Sequence, residues 1–409
     1  MNSKKLYASL GLITLYILVF VIKDFFSEGL YQDETHYLPT AVRFSKEIIP
    51  SIALLKDYNE LNTPLPFILG GWVIRIFGED ILNLRLLTYI TSLVLLLLFV
   101  WTAPEKPSRL FLCLFGLLLF PSYYLCSIYY YTDIYAMLFV LAGLVAYLKK
   151  RHIYGAILMA LAIACRQYML AFPIAIIFFE IVYFDLRQPF LTSLFNRLRQ
   201  DRTWLYYGIA VLSLVPWVIL WKGLAPASVM EDQYYETDKL IRYNFGYVMY
   251  ASAVLTSYYI VPETLLFGKW RFFIEYPKRE PRRFILFVFI SAVFVVLFPA
   301  QQAYNPYFTW PYLGYVDRLF ETIGLTGIFK QIVFGVMMLV AFIRFFSFRL
   351  NLASYIVLFN ILILGKAQLS WDKYSLPMVM TLWYLSLFDK EWTYSSQANT
   401  LTTGTDKAR

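Results

Sequence analysis

The chain has 409 residues, of which 60% are hydrophobic and only 15% charged. A soluble chain is nearer one quarter charged, so the composition excludes a set of soluble domains and points to a polytopic membrane protein. The net charge of +9 does not point to nucleic acid, because the basic residues gather in short segments between apolar runs. The three cysteines have no CxxC spacing and there are two histidines, so neither a disulfide framework nor a histidine metal centre is legible.

The first apolar run, 6–22, follows Lys4 and Lys5 and is succeeded by no small-residue cleavage site, so it reads as a retained signal anchor. Runs follow at 84–102, 110–127, 134–148, 153–164, 168–184, 204–222, 246–268, 284–300, 324–343, 350–365 and 375–388, which makes twelve. With the N-terminus on the cytoplasmic side, 22 of the 36 Lys and Arg fall on inner segments. Of the other 14, 6 lie in the long segment 23–85, which the positive-inside rule discounts. The twelve-span count requires 64–77 to be interfacial or re-entrant, which its prolines, glycines and Arg75 favour. Segment 23–83 is then a long first external loop. Residues 1–392 read as one transmembrane domain, and 393–409, rich in Ser and Thr, as a disordered cytoplasmic tail.

"YQDETHYLPT" opens that first loop. Asp33 and Glu34 read either as a solvated charged loop or as a general base held at the bilayer surface. His36 lies near enough in sequence to share their helical face. Asp133, in "YYYTD", is a second outer-face acid suited to holding acceptor hydroxyls. Arg166 and Gln167 interrupt two runs. An arginine at that depth either pairs with Asp33 or Asp133, or binds an anionic phosphate. Lys373 and Tyr374, in "SWDKYSLP", stand at the entrance of the last run, where a cation suits a phosphate or merely snorkels. A carboxylate base with cations at one membrane depth is what sugar transfer from a lipid phosphate needs.

These stretches resemble the dolichyl-phosphate-glucose-dependent α-1,2-glucosyltransferases that complete the N-glycan precursor, within the GT-C-fold enzymes. "YQDETHYLPTAVRF" is similar to their first-loop motif and "NTPLPF" to their Thr-Pro stretch. The FP, YYT and RQ signatures follow in order between Phe120 and Gln167, and "DKYSLP" resembles the terminal motif, with Lys373 where the family has arginine. Two departures stand out: Tyr168 and Met169 replace the Thr-Asn that follows RQ, and "AYNPYFTW" lacks an Arg and a His.

The resemblance implies an all-α GT-C bundle and an inverting hexosyltransferase. Its donor would be a polyprenyl-phosphate sugar and its acceptor a lipid- or protein-linked glycan, on the lumenal or periplasmic face of the endoplasmic reticulum or a bacterial inner membrane. It implies Asp33 as base with Glu34 as its catalytic neighbour, orienting the acceptor or stabilising the site, and Arg166, Lys373 and Tyr374 at the donor phosphate. Tyr31, His36, Asp133, Gln167 and Asn305 would line the substrate site. No cofactor is implied; a divalent ion between Asp33 and Asp133 would suit carboxylates and water, but no ligand cluster supports it. The rival class is a transporter or lipid flippase, which would show inverted repeats and charge at the midplane. A non-catalytic scaffold would leave the carboxylates and cations unexplained.

Overall fold

The computed structural model describes residues 3–104, 107–182, 202–231, 243–298, 314–347, 350–367 and 371–388. Among them every regular element is helical. The chain divides into two compact units, one made of 1–107 and 122–237, the other of 108–121 and 238–409.

The first unit begins with α1 (Ser3–Ile22), a helix apolar on all sides. Ala8, Leu12 and Tyr16 are buried at four-residue spacing, where α1 packs on α5 (Ile81–Thr102). The opposite face exposes Ile13, Ile17 and Val21, the surface that lipid covers. Hydroxyls lock the α1–α5 seam: Tyr16 bonds Ser92 at 2.9 Å, and Tyr89 donates to the Tyr16 carbonyl at 2.7 Å.

Between α1 and α5 lie α2 (Glu34–Ser45), α3 (Ile52–Lys56) and α4 (Leu65–Phe77). Ser51 caps α3 by accepting from the Leu54 amide. Gly78, at φ 99°, ends α4 in a conformation that glycine reaches without strain. α2 lies against α4, and the contact depends on Gly71: a Cβ there would stand 2.8 Å from the Phe44 backbone. α6 (Pro107–Leu118) belongs with the second unit, apart from its first residue. α7 (Pro121–Ile128), from its second residue, α8 (Asp133–Leu148), α9 (His152–Cys165) and α10 (Ala171–Ile181) return to the first, with α8 packed along α5 and α9.

In the second unit a π-turn, Thr256–Ile260, separates helices Phe245–Leu255 and Val261–Phe267. Pro262 explains it. Proline has no N–H to give the Tyr258 carbonyl four residues back, and the Trp383 indole donates to that carbonyl instead, at 3.3 Å. Behind it Glu263 is clamped by Arg344 at 2.8 and 2.9 Å, with both side chains buried.

Among the described residues, four helices are long and apolar enough to cross a membrane: Ser3–Ile22, Ile81–Thr102, Thr203–Trp221 and Gly327–Phe346; a bent pair around residue 120 would make a fifth. Twelve apolar runs therefore do not become twelve full-length helices. The run 246–268 carries the π-turn within one continuous helical stretch, and the runs 153–164 and 168–184 are separated at Arg166. Runs 134–148 and 350–365 give helices of 16 and 13 residues. Thirteen residues rise about 20 Å, short of a hydrocarbon core of about 30 Å. The same length limit applies to α4, the segment expected to be interfacial or re-entrant.

Candidate active site

The turn before α2 is strained. Gln32 adopts φ 42°, a left-handed conformation costly for a residue with a side chain. Its side-chain oxygen accepts from the Tyr131 hydroxyl at 3.1 Å. This turn sends the two acids into different settings.

Glu34, in the first turn of α2, has no exposed surface. Its Oε1 accepts from Arg85 Nε and from the Tyr130 amide, both at 2.9 Å. Its Oε2 accepts from Arg85 Nη2 and, at 2.8 Å, from the Tyr31 amide. Arg85 spends its remaining N–H groups on the carbonyls of Phe26, Glu28 and Gly29, each at 2.7 Å. A guanidinium has five N–H donors, and all five are used. Carboxylate and guanidinium are saturated, so this pair ties α2, α5 and the approach to α8 together. Tyr31, half-buried, stacks on Tyr129 with ring centroids 4.2 Å apart.

Asp33 is half-buried and starts α2 without capping it through its side chain; its carbonyl receives the His36 and Tyr37 amides. Asp33, Asp133, Arg166 and Glu60 all lie within electrostatic reach of the buried Tyr37 hydroxyl. Arg166 is 4% exposed and breaks the helix between α9 and α10. Its Nη2 donates to Asp133 Oδ2 at 2.6 Å, and the Tyr168 hydroxyl donates to Asp133 Oδ1 at 2.8 Å. Asp133, one of the two partners the sequence suggested for Arg166, is bonded to it. Tyr168, one of the departures from the family pattern, completes the arrangement.

The loop 57–64 closes over this cluster. Tyr58 donates to the Asn62 carbonyl at 2.6 Å, and Asn62 Nδ2 to the Tyr37 hydroxyl at 3.0 Å. Thr63 bonds the Ile163 carbonyl at 2.7 Å, and Gln167 donates to the carbonyls of Leu61 and Leu224. The loop carries Glu60, which is 8% exposed. Burial pushes the Glu60 carboxyl up to about 8, the neighbouring Asp33 adds to the rise, and Arg166 pulls it back.

The cluster thus contains Asp33, Asp133 and Arg166 from the sequence reading, with Gln167 pinning the loop beside it. His36 is exposed. Lys373 and Tyr374 lie in the second unit, at the start of helix Asp372–Leu385, where Lys373 is buried with its ammonium 4.4 Å from the Trp371 ring. Asn305, and the tail beginning at 393, lie outside the described residues. Sequence reasoning missed Glu60, Arg85 and Tyr168. Only Arg85, a charge inside an apolar helix, carried a signal. Among the described residues no group of three or more His, Cys, Asp or Glu is arranged to hold a metal.

Residues 70–188 match the model of the DIE2/ALG10 family, the dolichyl-phosphate-glucose α-1,2-glucosyltransferases. The match bears out the resemblance read from the FP, YYT and RQ signatures, and it contains Arg85, Asp133 and Arg166. No curated protein and no solved structure matches the chain.

Proposed function

We propose, with that match as premise, that the chain is a glucosyltransferase of N-glycan-precursor type acting at a membrane, and that 1–392 form one transferase domain of about twelve spans in the GT-C manner. The donor is a polyprenyl-phosphate hexose, glucose first among the candidates. The acceptor is a lipid- or protein-linked glycan on the lumenal or periplasmic face, and the N-terminus is cytoplasmic. The observation that carries this reading is the family match over 70–188, which spans the partners of the buried acids.

Transfer with inversion takes one step. The acceptor oxygen bonds to the sugar C1 while the bond from C1 to the phosphate oxygen breaks and leaves its electron pair on the phosphate. The acceptor hydroxyl proton passes to the Asp33 carboxylate, the general base. Glu34, fully bonded, acts as a fixed strut that orients Asp33 through α2. Arg166 offsets the charge growing on the leaving phosphate while Asp133 and Tyr168 hold it in place. Lys373 and Tyr374 keep a donor-phosphate role, and Tyr31, His36, Gln167 and Asn305 a substrate-contact role.

The test uses purified protein in detergent with polyprenyl-phosphate glucose and mannose, and lipid-linked oligosaccharide acceptors. Wild type should consume one donor, and Asp33→Asn should abolish turnover at unchanged donor affinity. Full activity in Asp33→Asn would remove Asp33 as base. A wild type that consumes no donor would favour a transporter.

A further inference from the structure

The terminal motif carries an acid to which the resemblance gives no role. Asp372 opens helix Asp372–Leu385 in the second unit and is 2% exposed. Donors from three other segments of that unit converge on its carboxylate. The Tyr250 hydroxyl, from helix Phe245–Leu255, bonds Oδ1. The Tyr258 hydroxyl, from the π-turn, bonds Oδ2 at 3.3 Å. The Val316 amide, in the first turn of helix Tyr315–Thr322, donates to the same oxygen at 3.1 Å. Gly314 makes room for the acid: a Cβ there would collide with the carboxylate and with the Tyr250 hydroxyl.

Two features described above meet at this point. π-turns concentrate at functional sites, and this one carries Tyr258. Phe120, of the FP signature, stacks flat on the Tyr258 ring with centroids 4.0 Å apart, which holds the phenol toward Asp372. Lys373 follows Asp372 on the same turn, buried, with its ammonium 4.4 Å from the Trp371 ring and 5.7 Å from the Tyr374 ring. The first turn of a helix is where a cation is least favoured, and burial adds to the cost. A lysine kept there against both does not serve the stability of the helix.

We propose that Asp372 is a positioning residue for the donor phosphate: by gathering Tyr250, Tyr258 and the Val316 amide it fixes the first turn of the terminal helix, and with it the Lys373 ammonium that meets the phosphate. The role rests on the transferase reading above and on the place of Lys373 in it. Asp372 touches no substrate. It acts through the backbone it shares with Lys373.

The experiment measures donor kcat and KM, polyprenyl-phosphate affinity and unfolding temperature for full-length wild type, Lys373→Met, Asp372→Asn, Tyr258→Phe and the two pairings with Lys373→Met. Lys373→Met should raise the donor KM and weaken polyprenyl-phosphate binding roughly tenfold. Asp372→Asn, whose amide turns a donor toward donors, should do the same in the wild-type background and add less than about twofold to Lys373→Met. An acid that merely stabilises the unit would add its full effect in both backgrounds. Tyr258→Phe keeps the carboxylate and loses only the 3.3 Å bond. It should raise the donor KM about threefold at unchanged kcat, again only while Lys373 is present, and it carries the test if Asp372→Asn does not fold. Full additivity with Lys373→Met, or a Tyr258→Phe with wild-type donor KM, overturns the role of Asp372 alone. A Lys373→Met with wild-type donor KM overturns the phosphate role of Lys373 and this one with it. A wild type that turns over no donor overturns the transferase reading itself.

Discussion

At the scale of single residues, the two adjacent acids do different work. Glu34 is a buried ion whose four bonds are all spoken for, and removing its charge leaves Arg85 buried without a counter-ion. Glu34→Gln should therefore cost about 3–5 kcal/mol of stability, read as a lower unfolding temperature in detergent. Its residual activity should track the folded fraction. Asp33→Asn, at a half-buried position, should lower the unfolding temperature less than Glu34→Gln does, while lowering turnover by about 10²–10⁴. Equal thermal shifts in the two variants would refute this division of labour. The pair was legible in the sequence as adjacent carboxylates past the first apolar run. Which of them is spent on structure was not, because the partners of Glu34 stand 51 and 96 residues further along the chain. Glu60 was illegible for a related reason: its loop reads as solvated, and its burial comes from contacts with residues 163–167 that no local pattern announces.

At the scale of elements, local breaks decide which apolar runs become long helices. Arg166 and Gln167 announced the break between α9 and α10, and the prolines of 64–77 announced a short piece there. Hydropathy counts residues without asking whether their amides can donate, so the consequence of Pro262 for the Tyr258 carbonyl was invisible to it. The α2–α4 contact gives a second test. In Gly71→Ala the new methyl would meet Phe44 main chain, which cannot swing aside as a side chain can. The expected loss is about 1–3 kcal/mol, with activity falling too because α2 carries Asp33. An unchanged unfolding temperature would show that the helices separate freely. Tyr168→Phe removes one of the two bonds to Asp133 and should cost about 1 kcal/mol. Its sharper effect should be a raised KM for the donor, as Arg166 loses a fixed counter-ion.

At the scale of the whole molecule, the distribution of Lys and Arg predicts an orientation that labelling can check. The three native cysteines are buried and should react little. Ile49 is 85% exposed on the first loop, and Lys150 is exposed after α8. In sealed vesicles, Ile49→Cys should react with an impermeant maleimide from the lumenal or periplasmic side only, and Lys150→Cys from the cytoplasmic side only. The reverse pattern would invert the topology and put Asp33 on the wrong face for a lipid-phosphate donor presented outside.

The fastening of the acid loop also has a bearing on how the chain is made. Leu61 is held by Gln167, 106 residues later, and Leu55 by the indole of Trp221, 166 residues later. A nascent chain that has cleared the ribosome only as far as α8 has the acid loop but neither Gln167 nor Trp221 to fasten it. The loop should therefore be open to protease in chains stalled before residue 166, and closed in those stalled well beyond 221. Assembly order then works as a safeguard: the acid loop cannot be fastened until the Arg166–Gln167 break between α9 and α10 has been synthesised.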